Sequence, residues 1–229
     1  QLGGAALDAE TLVEHGAILA SFHAWRAVYG LGERVHRHLQ MAGIGFDVCI
    51  GDIARALCSG GRLVICPKET LLDPPALATL MQRERIDCAE FVPAVLRGLV
   101  EYLDTAGERL PDLKFLIAGS DIWHPQDLQR TWRVVGGDTA VVNSYGLTEA
   151  AVDSTCYLAR RDTPASSGTV PIGRPLANVE ALVLNPGMQP CPVGVVGELH
   201  IAGPALARGY LGNPEQTAQC FLPHPLRAG

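Results

Sequence analysis

Basic charge, paired cysteines and long apolar runs are what this 229-residue sequence has little of. Eighteen Lys and Arg stand against 24 Asp and Glu, a formal net charge of −6, which speaks against nucleic acid or an anionic membrane surface as the main partner. No apolar run approaches the roughly 20 residues needed to cross a bilayer. The first residues, QLGGAALDAE, lack the basic-then-apolar layout of a secretory leader. Cys49, Cys58, Cys66, Cys88, Cys156, Cys191 and Cys220 are odd in number and contain no CxxC pair. That is the pattern of reduced, mostly buried thiols in a cytoplasmic protein, not of a disulfide frame or a zinc site. The histidines show no metal-ligand spacing, and His36 and His38 fall on what reads as a solvated segment. What is abundant is apolar: 48% hydrophobic residues against 18% charged is enough for a substantial core and excludes a wholly disordered chain.

Apolar residues recur at helical spacing over 9–30 and stop at Gly30. Helix and strand then alternate: helix 50–61, strand 62–66, helix 74–84, strand 87–91, helix 93–107, strand 114–119, helix 125–137 and strand 139–143. Short, continuously apolar strands between helices of about ten residues predict an α/β fold with a parallel-rich sheet flanked by helices. Beyond about residue 160, prolines and glycines punctuate alternating strands at 179–184, 197–202 and 207–211. The expected division is an α/β subdomain over 1–160 carrying the ligand sites and a β-rich antiparallel subdomain over 161–229.

Ligands in such sheets gather beyond the carboxyl ends of the strands, and four polar features are expected there. They are Asp47, Glu90, the run Gly119-Ser120-Asp121, and the stretch from Asn143 to Asp153. Each has a plain structural alternative: Asp47 as a helix cap, Glu90 as a solvated edge residue, Gly119-Ser120 as a loop, Thr148 as a cap with Glu149 in the first turn. Their coincidence on one edge favours a ligand site.

NSYGLTE (143–149) resembles the NxYGPTE motif of adenylate-forming enzymes, specifically the amino-acid adenylation domains of nonribosomal peptide synthetases. The segments GFDVCIGDIARALCSGGRLVI (45–65), VPAVLRGL (92–99), PIGRPLAN (171–178) and GELHIAGPALARGYLGNPEQTAQCF (197–221) resemble further blocks of that family in the same order. LVEHGAI (12–18) resembles the stretch after its phosphate loop, so the likeness covers roughly 12–226, and several ordered motifs are stronger than one. The resemblance implies ATP and Mg²⁺ as cofactors, an aminoacyl adenylate as product, and a phosphopantetheine thiol on a carrier-protein domain as acceptor. A small MbtH-like activating protein is a further implied partner. Carried over by position, Tyr145 stacks on adenine and Asn143 bonds its edge, with Ser144 and Gly146 beside them. Gly119, Ser120 and Asp121 supply neighbouring contacts, Thr148 touches the phosphate, and Glu149 holds Mg²⁺. Thr148 and Glu149 are thus the implied catalytic pair, and Asp47 pairs with the substrate's α-ammonium.

The family's substrate positions map onto Asp47, Val48, Gly51, Glu90, Leu116, Ala118, Ser144, Val152 and Asp153. Gly51, where an aromatic often sits, is expected to leave room for a long side chain. Glu90 and Asp153 then place two carboxylates at the far end, and two buried acids without a basic partner in the lining imply a cationic ligand. At about 4 Å and an effective dielectric near 20, each carboxylate contributes roughly 4 kcal/mol, and a neutral ligand is rejected by roughly 10⁴-fold. The pattern is most similar to the family's ornithine-type code, with a guanidino amino acid next and lysine third. An acyl-CoA or aryl-acid ligase is disfavoured by Asp47, since such substrates lack an α-ammonium. Leu147 replaces the motif's proline. The lysine-bearing phosphate loop, the ribose-binding aspartate block and the C-terminal lid subdomain have no counterpart in the sequence, which leaves a catalytically inactive scaffolding fragment as the alternative reading.

Overall fold

The computed structural model describes residues 10–162 and 168–227. The end of the expected phosphate-loop region, residues 1–9, lies outside them. In chain order the elements are α1 (His15–Tyr29), β1 (Arg37–Gln40), α2 (Asp47–Leu57), β2 (Arg62–Ile65), α3 (Lys68–Leu71), α4 (Pro74–Arg83), β3 (Cys88–Phe91) and α5 (Pro93–Ala106). There follow β4 (Phe115–Ala118), α6 (Pro125–Val134), β5 (Ala140–Tyr145), a 3₁₀ turn (Thr148–Ala150), β6 (Thr155–Leu158), β7 (Arg174–Pro175), β8 (Glu180–Leu184), β9 (Glu198–Ala202) and α7 (Pro214–Cys220). Proline opens α4, α5, α6 and α7, where its fixed φ suits the first turn and its missing N–H costs no intrahelical bond.

Seven strands form one sheet in the order β2-β1-β3-β4-β5-β6-β7. It is parallel from β2 through β5 and antiparallel at β6 and β7, so it runs on to Pro175. All four residues of β3 and of β4 are buried, as strands covered on both faces must be. One face packs Leu77, Phe91, Leu99, Leu103, Leu116 and Leu128 against α4, α5 and α6. The other packs Trp25 and Tyr29 of α1 against Phe115, Ile117 and Val142. A separate antiparallel pair, β8–β9, follows, and the α/β architecture with a small antiparallel sheet matches the expected fold class.

Three expectations need correction. The segment holding His36 and His38 is not solvated: His38 is 1% exposed in β1, a strand placed between β2 and β3. Polar residues disguise it, but the Asp87 carboxylate accepts the backbone N–H groups of His36 and Arg37 at 3.0 and 2.7 Å, which anchors the strand's start. Residues 207–211 form no strand; they contribute only the isolated bridge between Tyr210 and Thr11, and α7 follows. The cysteines are free thiols, and only Cys49, Cys66 and Cys88 are buried.

Candidate functional site

Asp47, Gly51 and Arg55 recur every four residues along α2, so one face of the helix presents all three to the carboxyl edge of the sheet. A Cβ placed at Gly51 would lie 3.5 Å from Nη2 of Arg55, 3.5 Å from the Trp25 ring and 3.4 Å from Val152, ordinary packing distances. The chain's own guanidinium therefore borders the room left by Gly51. Arg55 is 1% exposed. Its Nη2 bonds Asp52 Oδ1 at 2.9 Å and also Glu90 Oε2, its Nη1 bonds Asp153 Oδ2 at 3.2 Å, and its guanidinium lies 4.8 Å from the centre of the Trp25 ring. The premise that Glu90 and Asp153 lack a basic partner is thus corrected.

Three carboxylates converge on one guanidinium, and their chemistry follows. Burial raises the Glu90 carboxyl to about 8, with Arg55 opposing and Asp153 and Asp52 adding to the rise. Burial likewise lifts Asp52 to about 6 and pushes Asp153 up, in both cases against the pull of Arg55. Burial works against the charge on Arg55, but Glu90, Asp52 and Asp153 more than offset it and hold the guanidinium ionised. Burial and mutual repulsion thus favour protonation within the cluster, against the pull of Arg55.

The two pocket acids are not equivalent. Asp153 has both oxygens committed: Oδ1 accepts from Ser144 Oγ at 2.5 Å, and Oδ2 accepts from Trp25 Nε1 at 2.7 Å and from Arg55. Glu90 gives Oε2 to Arg55, while Oε1 accepts no hydrogen bond among the described residues. That oxygen faces the end of β4, 3.2 Å from where a side chain at Gly119 would begin.

Closer to solvent, Thr148 Oγ1 donates to Asp47 Oδ2 at 2.8 Å. Glu149 Oε1 accepts from the Tyr210 hydroxyl at 2.6 Å. A cleft of about 430 Å³ opens beside them, lined by Asp47, Thr148 and Val152 together with Val13, Glu14 and Ile18 of the segment leading into and through α1. Ala151 and Val152 both take positive φ, 54° and 78°, a rare choice for a β-branched residue and the kind of strain that marks functional turns. Gly146 makes the turn possible, because a side chain there would collide with the Val152 carbonyl.

Asn143 is buried, and its Nδ2 donates to the carbonyls of Val170 and Pro171 at 3.1 and 2.9 Å, which leaves Oδ1 as an acceptor suited to an exocyclic amino group. Tyr145 is half-buried at the end of β5, and Gly119, Ser120 and Asp121 form the turn after β4. Among the described residues no group of three or more His, Cys, Asp or Glu could cage a metal. A single carboxylate oxygen on Glu149 beside the Thr148 hydroxyl fits Mg²⁺, which prefers one or two protein oxygens completed by phosphates and water.

Val48 packs against the α1 side of the sheet, and Gly51, Glu90, Ser144, Val152 and Asp153 gather there as expected of one site. Leu116 and Ala118 do not join them. Strand side chains alternate, Glu90 is in register with Ile117, and Leu116 and Ala118 belong to the cluster on the opposite face. Ile117 and Gly119 occupy the pocket face instead. Trp25, Asp52 and Arg55 were the site residues that sequence reasoning passed over; Asp52 and Arg55, three apart on an otherwise apolar helix, were the available signal.

A family model described as AMP-binding enzyme matches residues 11–211. Gramicidin S synthase 2 of Brevibacillus brevis is 40% identical over 218 residues, 95% of this chain and 5% of that protein. The AMPPNP-bound form of the nonribosomal peptide synthetase FmoA3 matches with a TM-score of 0.86 and 28% identity, over 93% of this chain and 23% of that one. An artificially fused adenylation–PCP di-domain, NpsA-ThdA from Klebsiella oxytoca, matches with a TM-score of 0.76 and 28% identity, over 93% of this chain and 38% of that one. The chain therefore spans a small part of the relatives it matches. From the reach of the family model and these likenesses, it belongs to the AMP-binding enzyme family, as an adenylation-domain core of the nonribosomal peptide synthetase type.

Proposed function

We propose that the chain selects an amino acid with a cationic side chain, ornithine-like, and takes part in its activation by ATP to an aminoacyl adenylate. The observation that carries this reading is the charge imbalance at the buried end of the site: Asp52, Glu90 and Asp153 against Arg55 alone. A cationic side chain offsets the remaining negative charge, whereas a neutral one leaves Oε1 of the buried Glu90 without a charged partner. Asp47, at the first turn of α2, takes the substrate's α-ammonium. Held at both ends, the substrate presents its carboxylate to the α-phosphate of ATP, and pyrophosphate leaves. AMPPNP in the FmoA3 structure supports ATP as the co-substrate.

In this reading Tyr145, Asn143, Ser144 and Gly146 with the turn Gly119–Asp121 receive the adenine, Thr148 meets the phosphate, and Glu149 holds Mg²⁺. The metal neutralises phosphate charge when bound. Tyr210 must yield Glu149 Oε1 or share it. The fused di-domain neighbour supports a carrier-protein phosphopantetheine as the acceptor, and an MbtH-like protein is a further partner of the assembled synthetase. The subdomain division near residue 160 is retained as a functional one, with both ligand sites on the N-terminal side.

Calorimetric binding of L-ornithine, L-arginine, L-lysine and L-leucine to the chain, with and without ATP and Mg²⁺, tests the proposal. Selective binding of a basic amino acid is expected. Preference for leucine, or binding of none by a folded chain, overturns it.

A further inference from the structure

The buried guanidinium decides more than charge. Arg55 lies beside the space that Gly51 leaves, with Asp52 on the helix side, Glu90 on β3 and Asp153 beyond β5 around it. Trp25 covers its face. This is an arrangement that suits a planar, forked cation: carboxylate oxygens at both Nη atoms and an aromatic ring on its face. An incoming arginine side chain would ask for the same partners and find them engaged. Of the two acids assigned to the pocket, Asp153 is the more committed: its oxygens accept three hydrogen bonds, from Ser144, Trp25 and Arg55. The less committed acceptor is Glu90 Oε1, which lies 3.2 Å from where a side chain at Gly119 would begin, with the Ser144 carbonyl 3.3 Å from the same point. A single carboxylate oxygen with a carbonyl nearby suits a compact ammonium, whose donors rotate to fit, and serves a rigid fork poorly.

We propose that Arg55 is a specificity-determining residue of this pocket: by occupying the seat of a planar guanidinium it leaves the site selective for a side-chain primary ammonium, as in ornithine or lysine, over the guanidinium of arginine. The inference deepens the cationic-substrate reading above and rests on it. Arg55 acts as a positioning residue, fixing Glu90 so that Oε1 points to the ligand. Asp153 acts through Arg55 and does not touch the substrate. This relation is separate from the nine family positions, of which Arg55 is not one.

Competitive calorimetry of L-ornithine and L-arginine on the chain and its variants tests the inference. The unaltered chain is expected to prefer ornithine by about tenfold or more, a difference of roughly 1.4 kcal/mol. Arg55→Met empties the seat, so arginine binding should strengthen and the ornithine-to-arginine ratio should fall to about one or below. Glu90→Gln should abolish binding of both. Asp153→Asn should weaken ornithine by less than about threefold, since truncating a partner one step removed acts only through geometry. If Arg55→Met fails to fold, Arg55→Lys, which keeps the charge and loses the fork, must still shift the ratio. Free guanidinium ion, well below denaturing concentration, must restore it. A ratio unchanged in a folded Arg55 variant, an unaltered chain that prefers arginine, or a loss in Asp153→Asn as large as in Glu90→Gln overturns the role of Arg55 while leaving the cationic-substrate reading intact. A folded chain that binds neither amino acid overturns that reading, and the role of Arg55 with it.

Discussion

The hydroxyl of Thr148 donates to Oδ2 of Asp47 at 2.8 Å, joining two residues 101 positions apart. The contact draws the first turn of α2 to the turn after β5, so the groups assigned to the α-ammonium and to the phosphate touch across the mouth of the cleft. Their roles separate under substitution. Asp47→Ala should weaken ornithine, lysine and leucine alike, by roughly 100-fold for any that bind, since a charged hydrogen-bonding partner is lost at the shared end of the substrate. Thr148→Val should leave amino-acid binding within about threefold and weaken ATP. Calorimetry with each ligand checks both; a loss in Asp47→Ala that depends on the side chain refutes the assignment.

Glu149 and Tyr210 make a second link, from the 3₁₀ turn to the segment before α7. The Tyr210 phenol is pushed well up by burial and by its bond to Glu149, so it stays a donor across the physiological range. Tyr210→Phe should cost about 1 kcal/mol, at the low end for a charge-assisted bond because the site is partly open to solvent. It should also strengthen Mg²⁺-dependent ATP binding severalfold by freeing Oε1. Urea unfolding and ATP titration with and without Mg²⁺ measure the two effects, and a Tyr210→Phe chain whose Mg²⁺ response is unchanged removes Glu149 as the metal ligand.

Glu90 gives the proposed pocket a pH signature. Burial raises its carboxyl to about 8 and so favours the protonated form of the ligand-free site, while a bound ammonium favours the carboxylate. Binding of ornithine should therefore release up to one proton near pH 7, and the affinity should rise from pH 6 to pH 8 and then level. Calorimetry in buffers of different ionisation enthalpy reads the release directly. Glu90→Gln should release none.

His38 should shape stability in acid. Burial, then the charges of Arg55 and His36, lowers its imidazole to about 4, below the 6.5 of an unfolded chain. Between those values the unfolded chain binds the extra proton, so this contribution to stability is complete above about pH 6.5 and is lost as pH falls toward 4. A shift of that size corresponds to at most about 3 kcal/mol. Among the described residues His38 Nε2 has no hydrogen-bond partner, so His38→Leu should be neutral or stabilising at pH 7 and should flatten the acid limb. Urea midpoints from pH 4 to pH 8 decide it.

The alternation of helices and strands was legible because β3 and β4 are buried on both faces and, Glu90 apart, their residues are apolar. β1 was not, because RHLQ reads as polar and its burial depends on Asp87, some fifty residues away. The same limit applied to the pocket. Asp47, Glu90 and Asp153 were visible as carboxylates, but the cation among them lies on α2 inside a run that reads as ordinary amphipathic helix. Leu116 and Ala118 were assigned by alignment of positions, and only the parallel register of β3 and β4 shows which residues share a face with Glu90. Pairings between distant segments carry these facts, and local pattern does not report them.

The turn from Gly146 to Asp153 places Thr148, Glu149 and Asp153 together, and it does so against local preference. Ala151 and Val152 both adopt positive φ, which costs on the order of 1–3 kcal/mol each for non-glycine residues. The strain persists because the Ser154 N–H bonds the Tyr145 carbonyl at 2.8 Å and Ser21 Oγ bonds the Ala151 carbonyl at 2.9 Å. It also requires the Val152 carbonyl to pack onto the bare Cα of Gly146. Gly146→Ala closes that space with a collision against backbone, which cannot rotate away as a side chain would. The variant should lose at least about 2 kcal/mol of stability, as overpacked cores do, and should lose amino-acid binding at temperatures where its sheet is still folded. Val152→Gly relieves the strained φ but removes a buried side chain. The lost burial of roughly 1.5–3 kcal/mol is offset in part by roughly 1–3 kcal/mol of relieved strain, so it should cost less stability than Gly146→Ala. Urea unfolding followed by far-ultraviolet circular dichroism, with ornithine binding measured in parallel, separates the two. A Gly146→Ala chain with native stability and native binding would mean that the turn does not depend on the contact between Gly146 and Val152.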